Sequence, residues 1–407
     1  MERVILHVDM NNFYASVECL LNPKLRGHAV AVCGDEEKRH GIILAKNQRA
    51  KKAGVKTAEP IWQARQKCPG LVCVKARHGV YVKFSQQARQ IFLRYSGRME
   101  PFGLDEAWID VSGRGVTAAR GKEIGDEIRK VIRRELGITA SVGVSYNKIF
   151  AKLGSDQGGP DATTVITFEN FREKVWKLCA RDLLYVGRST EKKLERCSIR
   201  TIGDIARSDK QYLKKLLGKW GLMLWSYANG YDAAPVAQAG GRQQIKSIGN
   251  STTTPRDLVS MDDVKQVLLT LSENVAKRLK KYRVMGTCVQ ISVRSNTLER
   301  MTRQQGLAHP TDLSNDLAEA ACTLFQNNYS LEVPVRSIGV RATGLIDMRE
   351  RQLDLFIDEK KIRAECAVEK IRERFGNDSL LRASVLREKD LAELEEGKRS
   401  IFPNSRL

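Results

Sequence analysis

The chain has 407 residues, too many for one ordinary core, and this length indicates roughly two to four domains. Hydrophobic residues make up 42% and charged residues 29%, a balance that excludes a mainly disordered chain. The 69 Lys and Arg against 48 Asp and Glu give a formal net charge of +21, which favours a polyanionic partner, nucleic acid before an anionic membrane. From the charge alone, the alternative is a basic protein that has no polyanionic partner.

Nine cysteines are scattered along the chain without a CxxC pair. We therefore expect free thiols in a reducing compartment rather than disulfides or a zinc site. The apolar run at 4–8 is too short for a signal peptide or a membrane span. These features predict a cytoplasmic protein with no membrane partner.

The first 167 residues alternate strand and helix signals. Residues 3–9 predict a buried strand that ends in Asp9, and a helix start follows, with Pro23 beyond its end. Further signals are short strands at 29–33 and 42–46, a basic helix at 49–54, a strand-turn-strand at 98–112, an amphipathic helix at 120–136 and a strand at 139–145. This alternation predicts one sheet flanked by helices.

The pattern changes after about residue 168. Residues 170–230 have helical periodicity with glycine-marked turns, and 233–245 are small and polar, typical of a linker. Helical stretches at 261–281 and 312–329 then alternate with strand-like runs at 287–295 and 335–346, which predicts a compact α+β module. The tail holds RQLDLF (351–356), a charged helix of about 359–375 and a short segment at 379–386.

Three acidic residues stand where they could act together. Asp9 ends a strand, and Asp105 and Glu106 lie at a turn between apolar runs. Carboxylates at strand ends can converge on Mg²⁺, and two such ions can activate a 3′-hydroxyl and stabilise a leaving pyrophosphate. Asp9 is far from the other two along the chain, so spacing alone does not show that the three meet. The alternative is that all three are acidic side chains exposed to solvent in turns.

Several segments resemble the motifs of the Y-family DNA polymerases. VDMNNFYASVE (8–18), PFGLDEAWIDVSG (101–113) and SVGVSYNKIFAKLGSD (141–156) resemble three motifs of the catalytic part. VGRSTEKKL (186–194) and GKWGLMLWSYANG (218–230) resemble the thumb, and KSIGNSTT (246–253) resembles the entry to the little finger. The resemblance runs in order over residues 1–345, and the bacterial polymerase IV-like enzymes are the group it fits best.

The resemblance implies an α+β multidomain fold, a right-hand polymerase with palm, small fingers, helical thumb and a C-terminal α+β little finger. The implied domains are the palm (1–10 and 77–167), the fingers (11–76), a thumb with a helix-hairpin-helix (168–232), a linker (233–245), the little finger (246–346) and a tail (347–407). The implied function is template-directed addition of dNTPs to a primer 3′-hydroxyl by two-metal phosphoryl transfer, as low-fidelity translesion synthesis in DNA damage tolerance.

The resemblance also assigns metal ligands. Asp9 and Asp105 would bind both of two Mg²⁺ ions, and Glu106 would bind the ion nearest the primer 3′-oxygen. The backbone carbonyl of Met10 would complete the nucleotide-side ion. Mn²⁺ would be able to substitute.

The implied nucleotide pocket follows the first acid. Phe13 and Tyr14 line it, and Tyr14 is the steric gate, whose ring leaves no room for a ribose 2′-hydroxyl. Gln48 and Lys51 stand where a Tyr and an Arg usually contact the triphosphate. Lys is a point charge rather than a fork, so this contact is less directional. A solvated basic helix face is the alternative for Lys51.

Three further positions depart from the family pattern. Gly159 stands where a triphosphate-contacting Lys is usual, and Lys152 or Lys51 is a candidate to compensate. Asn11 stands where a second Asp is frequent, and Gly103 where Ser is frequent. Neither of these last two removes a metal ligand.

The segment YVGRSTEKKL resembles one hairpin of a helix-hairpin-helix, whose amides face a DNA phosphate. The predicted contacts there are Val186, Gly187, Arg188 and Ser189. The basic residues of the linker and little finger could share one sheet face toward phosphates, or form an exposed face without ligand; they are Arg242, Lys246, Arg256, Arg294, Arg300, Arg303, Arg336 and Arg341. In the tail, Gln352, Leu353, Leu355 and Phe356 resemble the peptide with which bacterial polymerases bind the sliding clamp.

Two other functions stay open from the sequence. A palm-fold nucleotidyl cyclase shares a two-metal site but needs neither a helix-hairpin-helix nor a clamp peptide. A non-catalytic or weakened DNA-binding relative would fit the missing Lys at Gly159. For the polymerase, the expected partners are primer-template DNA, dNTP and the clamp, and we expect a monomer that acts on the bacterial nucleoid.

Overall fold

A computed structural model describes residues 3–36, 41–241, 245–350, 359–376 and 379–383. These residues form two compact units, the first from 3–34 and 42–241 and the second mainly from 245–350 and the described residues of the tail. The α+β class is as predicted from the sequence, and the predicted domain boundaries stay predictions.

The first unit contains eight strands and eleven α-helices among its described residues. The strands are β1 (Ile5–Met10), β2 (Val30–Cys33), β3 (Ile43–Lys46), β4 (Val72–Lys75), β5 (Met99–Pro101), β6 (Glu106–Asp110), β7 (Ala140–Ser145) and β8 (Thr163–Ile166). The helices are α1 (Phe13–Leu21), α2 (Gln48–Lys52), α3 (Ile61–Lys67), α4 (His78–Leu93), α5 (Ala118–Leu136), α6 (Lys148–Gln157), α7 (Phe171–Val175), α8 (Arg188–Arg196), α9 (Ile202–Arg207), α10 (Lys210–Leu217) and α11 (Lys219–Ala228).

The main sheet has the strand order β5-β6-β1-β7-β8, with β1 antiparallel to both of its neighbours. Strand β1 is buried on both faces. Leu6 and Val8 pack in the core with residues of α4 and α5, whereas Ile5 packs on the other face with Ala151 of α6. Because side chains alternate along a strand, His7 and Asp9 point to the face that α6 covers.

Helix α6 lies unusually close to this sheet. A Cβ at Gly143 of β7 would overlap the carbonyl oxygen of Ala151 and the backbone nitrogen of Ser155, so only glycine allows the contact. Residues of α6, among them Phe150 and Leu153, also belong to the core of the helices α7–α11. Helix α6 therefore joins the main sheet to the helical part of this unit.

Two smaller parts complete the first unit. A three-stranded sheet, β3-β2-β4, packs with α2 and α3 around Ala31, Ile43 and Ile61. The segment predicted as a linker is described over 233–241 and packs against the main sheet, because Val236 is buried and the backbone nitrogen of Ala239 donates to the carbonyl of Gly97 at 2.9 Å.

The second unit is an antiparallel sheet covered by helices. Its strands are β9 (Ser247–Leu258), β10 (Val284–Ser295), β11 (Arg300–Thr311) and β12 (Val335–Asp347), in the order β11-β10-β12-β9. Its helices are α12 (Met261–Tyr282), α13 (Ser314–Asn328) and α14 (Glu359–Phe375). The tail helix α14 is held on α12, where Lys280 pairs with Glu365 at 2.8 Å and with Glu369 at 3.1 Å.

Candidate active site

Strand pairing brings the three predicted acids together. Asp9, near the end of β1, is the register partner of Glu106, at the start of β6. The backbone nitrogen of Met10 donates to the carbonyl of Asp105 at 2.9 Å, which fixes the turn before β6 beside the end of β1. The distance along the chain between Asp9 and Asp105 is thus closed by two neighbouring antiparallel strands.

A lysine ammonium lies between two of these carboxylates. Nζ of Lys152, on α6, is 2.8 Å from Oε2 of Glu106 and 3.2 Å from Oδ2 of Asp9. It also lies 2.9 Å from Oδ1 of Asp156, one turn along α6. In the part of the chain that the structure describes, no three His, Cys, Asp or Glu side chains are arranged as they stand to enclose a metal ion.

These residues nevertheless fit a divalent cation. The donors are hard carboxylate oxygens, which Mg²⁺ prefers. The positive charge of the Lys152 ammonium already lies beside two of the carboxylates, where a metal ion would lie. Asp9, Asp105 and Glu106 could therefore hold a metal ion if the lysine side chain moved aside.

The acids differ in their pKa values. Burial, and then the negative charges of Asp9 and Glu106, raise the pKa of Asp105 to about 7. Burial also raises the pKa of Asp9, although the charge of Lys152 opposes this. For Glu106, burial opposes ionisation, but the contacts with His7 and Lys152 outweigh it and lower the pKa to about 2. Asp105 is thus the carboxyl group least compensated by positive charge.

His7 is a site residue that was not predicted from the sequence. Its fully buried ring has Nε2 3.4 Å from Oε2 of Glu106 and Nδ1 2.8 Å from the hydroxyl of Ser155 on α6. The 3.4 Å contact is long for a hydrogen bond, and Nε2 has no other hydrogen-bond partner among the described residues. A polar residue within the apolar run VILHV, on the same strand face as Asp9, was the signal available in the sequence.

The two aromatic residues after the first acid are placed differently. Tyr14 is half-buried and its ring stacks on Tyr81 of α4, with the ring centroids 4.1 Å apart. Phe13, by contrast, is 2% exposed and belongs to the core of the main sheet. Its side chain is therefore not available to a nucleotide, unlike the predicted role.

The predicted triphosphate residues of the fingers lie on the short helix α2. Lys51 is exposed and Gln48 is half-buried. A further lysine, Lys46 at the end of β3, donates to the hydroxyl of Thr57 at 2.9 Å. Burial and the charge of Lys51 lower the pKa of Lys46, so the two ammonium groups are near each other. Lys46 was not among the residues predicted from the sequence.

Two of the departures from the family pattern are joined by hydrogen bonds. The amide of Asn11 donates to the hydroxyl of Ser141 at 2.8 Å, and this hydroxyl donates to the carbonyl of Gly159 at 2.7 Å. The amide oxygen of Asn11 also accepts from the backbone nitrogen of Asp161 at 2.9 Å. Gly159 has φ +72°, a conformation that favours glycine. Asn11 thus anchors the loop in which the usual lysine is missing.

The other departure, Gly103, lies beside the acids. A Cβ there would be 3.0 Å from Oδ1 of Asp105 and 3.1 Å from Cγ of Glu106. Its carbonyl accepts a hydrogen bond of 3.3 Å from the buried guanidinium of Arg89. Glycine therefore leaves space next to two of the candidate ligands.

The predicted hairpin opens helix α8. Gly187 is the N-cap residue, and Arg188 and Ser189 are exposed in the first turn. Val186 is buried in the helical core and is not available for contact through its side chain. Tyr185, just before it, has φ +72°, which is uncommon outside glycine.

Only part of the predicted arginine face is formed. Arg294 of β10 is the register partner of Arg300 of β11, and Arg341 of β12 is the partner of Gln290. Because Gln290 and Arg294 are four residues apart on one strand, these three arginines share a face. Lys246, which precedes β9, is exposed.

Two other arginines, Arg303 and Arg256, do not belong to this face, which corrects the prediction for them, whereas the face of Arg336 does not follow from the strand pairing. Arg303 is on the opposite face, where its Nε donates to Oδ1 of Asn328 on α13 at 3.2 Å. Arg336 lies at a bulge of β12, where the register shifts and the alternation breaks. Arg256 forms a two-pronged ion pair with Asp263, at 2.8 and 3.0 Å.

Some predicted residues lie outside the described residues. They are Arg242 and the clamp-like residues Gln352, Leu353, Leu355 and Phe356. Of the helices within the described ranges, none has the length and apolar composition needed to cross a membrane.

Sequence models of known families match most of the chain. A model of the impB/mucB/samB family matches residues 8–156, and one of the C-terminal domain of the same family matches residues 245–355. Between them, a model of the thumb domain of DNA polymerase-iota matches residues 181–232. The three matches cover the acids, the hairpin and the antiparallel sheet in order.

Curated relatives match over nearly their whole length. DNA polymerase IV of Acetivibrio thermocellus is 51% identical over 96% of this chain and 99% of that protein. DNA polymerase IV of Pelotomaculum thermopropionicum is 37% identical over 94% and 95%, and DNA polymerase IV 2 of Bacillus subtilis is 37% identical over 95% of each. Among solved structures, a Y-family DNA polymerase chimera of Dbh and Dpo4 matches with a TM-score of 0.74 and 24% identity, covering 84% of this chain and 99% of that one.

Proposed function

This chain belongs to the Y-family DNA polymerases, within the DNA polymerase IV group, and on that basis we propose that it adds dNTPs to a primer 3′-hydroxyl on a template in translesion synthesis. Y-family DNA polymerases depend on metal ions. The observation that carries the proposal is the convergence of Asp9, Asp105 and Glu106 around the ammonium of Lys152. The match to a polymerase thumb at residues 181–232 disfavours a nucleotidyl cyclase.

The metal in this proposal is Mg²⁺, two ions at one site, with Mn²⁺ as a substitute. When bound, the ions supply a lowered pKa at the primer hydroxyl and charge stabilisation at the leaving pyrophosphate. Asp9 and Asp105 would contact both ions, Glu106 the primer-side ion and the Met10 carbonyl the nucleotide-side ion. His7 would hold Glu106 ionised, because its contact helps to keep the Glu106 pKa at about 2.

We assign the incoming nucleotide to the side of the acids where α1 and α2 begin. Tyr14 would act as the gate against ribose, and Lys51, Gln48 and Lys46 would supply donors to the triphosphate. Lys152 would be available to the triphosphate only after it leaves the carboxylates.

For DNA binding, we propose contacts to phosphates from Gly187, Arg188 and Ser189, and from the face shared by Arg294 and Arg341. Such contacts would make binding salt-dependent and largely independent of sequence. The segment 352–356 would bind the sliding clamp. The polymerase would act as a monomer in the bacterial cytoplasm, on the chromosome, in keeping with the bacterial source of the relatives.

The test is incorporation of a single dNTP on a primed template with Mg²⁺. The variant Asp105→Ala/Glu106→Ala is expected to lose incorporation by at least about a thousandfold while it still binds DNA, because charge stabilisation of phosphoryl transfer is lost. Glu123→Ala, which removes an exposed acid of α5, is the matched control and is expected to retain activity. Binding of DNA without incorporation by the unaltered protein would favour a non-catalytic relative.

A further inference from the structure

The ring of Tyr14 is held by two aromatic neighbours from α4. It stacks on Tyr81 with the centroids 4.1 Å apart and the planes 12° apart. His78 meets Tyr14 edge-on at 5.9 Å and Tyr81 edge-on at 6.0 Å. Because Tyr81 is fully buried, it covers one face of the Tyr14 ring and leaves the ring no room to tilt toward α4.

Tyr81 is itself fixed by an ion pair between a buried carboxylate, that of Glu18, and a half-exposed guanidinium, that of Arg77. Its hydroxyl donates to Oε1 of Glu18 at 2.7 Å and accepts from the backbone nitrogen of Arg77 at 3.1 Å. Nε of Arg77 donates to Oε1 of Glu18 at 3.0 Å, and its Nη2 donates to Oε2. Glu18 is only 2% exposed. A buried carboxylate of this kind is costly unless it is fully paired, and here it has three donors.

The network closes on the helix that carries Tyr14. Glu18 lies four residues after Tyr14 on α1, so the two side chains project from the same face of the helix. Burial raises the pKa of the Tyr81 hydroxyl, which therefore stays protonated and donates over the whole working range of pH. Tyr14, Glu18 and Tyr81 thus form a closed set of contacts between α1 and α4.

We propose that Tyr81, Glu18 and Arg77 are positioning residues for sugar selection. They hold the Tyr14 ring in the position in which it collides with a ribose 2′-hydroxyl. This inference rests on the proposed polymerase function and on Tyr14 as the gate. Tyr81 and Glu18 are too deeply buried to touch a nucleotide, so they act through Tyr14. A ring free to tilt would still admit dNTP but would exclude rNTP less strictly.

The experiment compares kcat/KM for a dNTP and the matching rNTP on one primed template. Tyr81→Phe keeps the stacked ring and removes only its hydroxyl. We expect it to lower the dNTP-over-rNTP selectivity about three- to tenfold, which corresponds to the loss of one buried hydrogen bond. The KM for the rNTP should fall, whereas kcat for the dNTP should stay nearly unchanged. Tyr95→Phe is the matched control, since its hydroxyl also donates to a glutamate, Glu127, at 3.1 Å, away from Tyr14.

A double-mutant cycle separates positioning from stability. In a Tyr14→Ala background the gate is absent, so Tyr81→Phe is expected to have no further effect on selectivity. If Tyr81→Phe is unfolded, Arg77→Lys, which keeps the charge but loses the fork, is measured in the same way.

Two outcomes overturn the inference. One is a Tyr81→Phe protein with a lower melting temperature and unchanged selectivity, which would make the network merely structural. The other is unchanged selectivity in Tyr14→Ala itself, which would remove the gate while dNTP incorporation still supported the polymerase. Absence of dNTP incorporation by the unaltered protein would instead refute the proposed function, and the inference with it.

Discussion

Replacement of Lys152 by Met tests whether its ammonium holds the place of a metal ion. The side chain is 14% exposed and lies 2.8 and 3.2 Å from carboxylates of Glu106 and Asp9. At an effective dielectric constant of about 20, each pair is attracted by about 5–6 kcal/mol, most of which offsets the loss of hydration. We expect the metal-free variant to lose about 2–4 kcal/mol of unfolding free energy, or about 5–10 °C in melting temperature.

The metal-binding affinity is expected to change in the opposite direction. The fixed positive charge repels an incoming Mg²⁺, and removing it is expected to tighten Mg²⁺ binding by about 1–3 kcal/mol, or roughly 5- to 150-fold. Titration calorimetry without DNA or nucleotide measures this, and the rise of melting temperature with Mg²⁺ concentration provides a second readout.

A matched control lies one turn earlier on the same helix. Lys148 is 13% exposed and pairs with Glu100 at 3.0 Å, but it does not contact the three acids. Lys148→Met is therefore expected to lower stability without tightening Mg²⁺ binding. If the two variants bind Mg²⁺ equally well, the reasoning about Lys152 is refuted.

The metal-free protein also has an expected pH dependence. The Asp105 pKa of about 7 is above the ordinary value, so its contribution to stability is present at low pH and is lost as pH rises through about 7. Melting temperature should therefore fall between about pH 4 and pH 7 and level off above that, and in Lys152→Met the fall should extend to higher pH, because the lysine charge lowers the pKa of Asp105. Mg²⁺ should reduce this dependence, because binding requires the ionised carboxylate. A flat profile in metal-free protein would contradict the burial of Asp105.

Three further predictions concern other parts of the chain. The pKa of Asp263 is lowered to about 2, first by its hydrogen bonds from Arg256. Asp263→Asn should therefore lower the free energy of unfolding by about 1–2 kcal/mol at pH 7. In denaturant titrations this difference should disappear as pH falls from about 4 to 2. Gly143→Ala should destabilise by about 3 kcal/mol or more, because the added methyl overlaps the backbone of α6, whereas Gly97→Ala, with open space around it, should change stability by less than about 1 kcal/mol in the same titration. Alanine at both apolar positions of 355–356 should abolish clamp pulldown and the clamp-dependent gain in primer extension while extension without clamp is unchanged; unaltered pulldown would refute the motif.

Strong local periodicity made much of the fold predictable from the sequence. The predicted helices at 120–136, 261–281 and 359–375 correspond to α5, α12 and α14 within a few residues. The predicted strand at 139–145 corresponds to β7. The helices have apolar residues at helical spacing, and in β7 the apolar Ala140, Val142 and Val144 alternate with small residues, so the residues of each element specify it.

The edge strands of the second unit had no such signal. Strand β11 is polar and exposed along most of its length, and it includes Pro310. Strand β9 holds Pro255 within a run of threonines. Proline is tolerated at sheet edges because one side of an edge strand needs no donor, so partner strands rather than local sequence define these elements.

The three acids of the candidate site were predicted from the sequence, but the contacts that Lys152 and His7 make with them were not. The motifs identified Asp9, Asp105 and Glu106, whereas the contacts of Lys152 and His7 depend on how closely α6 packs on β1. That distance depends on Gly143, which has no side chain to separate α6 from the sheet. The residues next to Gly143 in the sequence do not indicate which helix packs against it. Similarly, Glu18 occurs in a recognised motif, but its pairing with Arg77 brings together separate helices.

The close contact between Gly143 and α6 limits how Lys152 can leave the acids. The backbone of α6 rests directly on that of β7, with no side chain between them, so the helix has no space to move toward the strand. We therefore expect the distance between Lys152 and the acids to change by rotation about the bonds of the lysine side chain. Entry of a cation at the carboxylates then needs a new rotamer at one residue and no movement of the main chain.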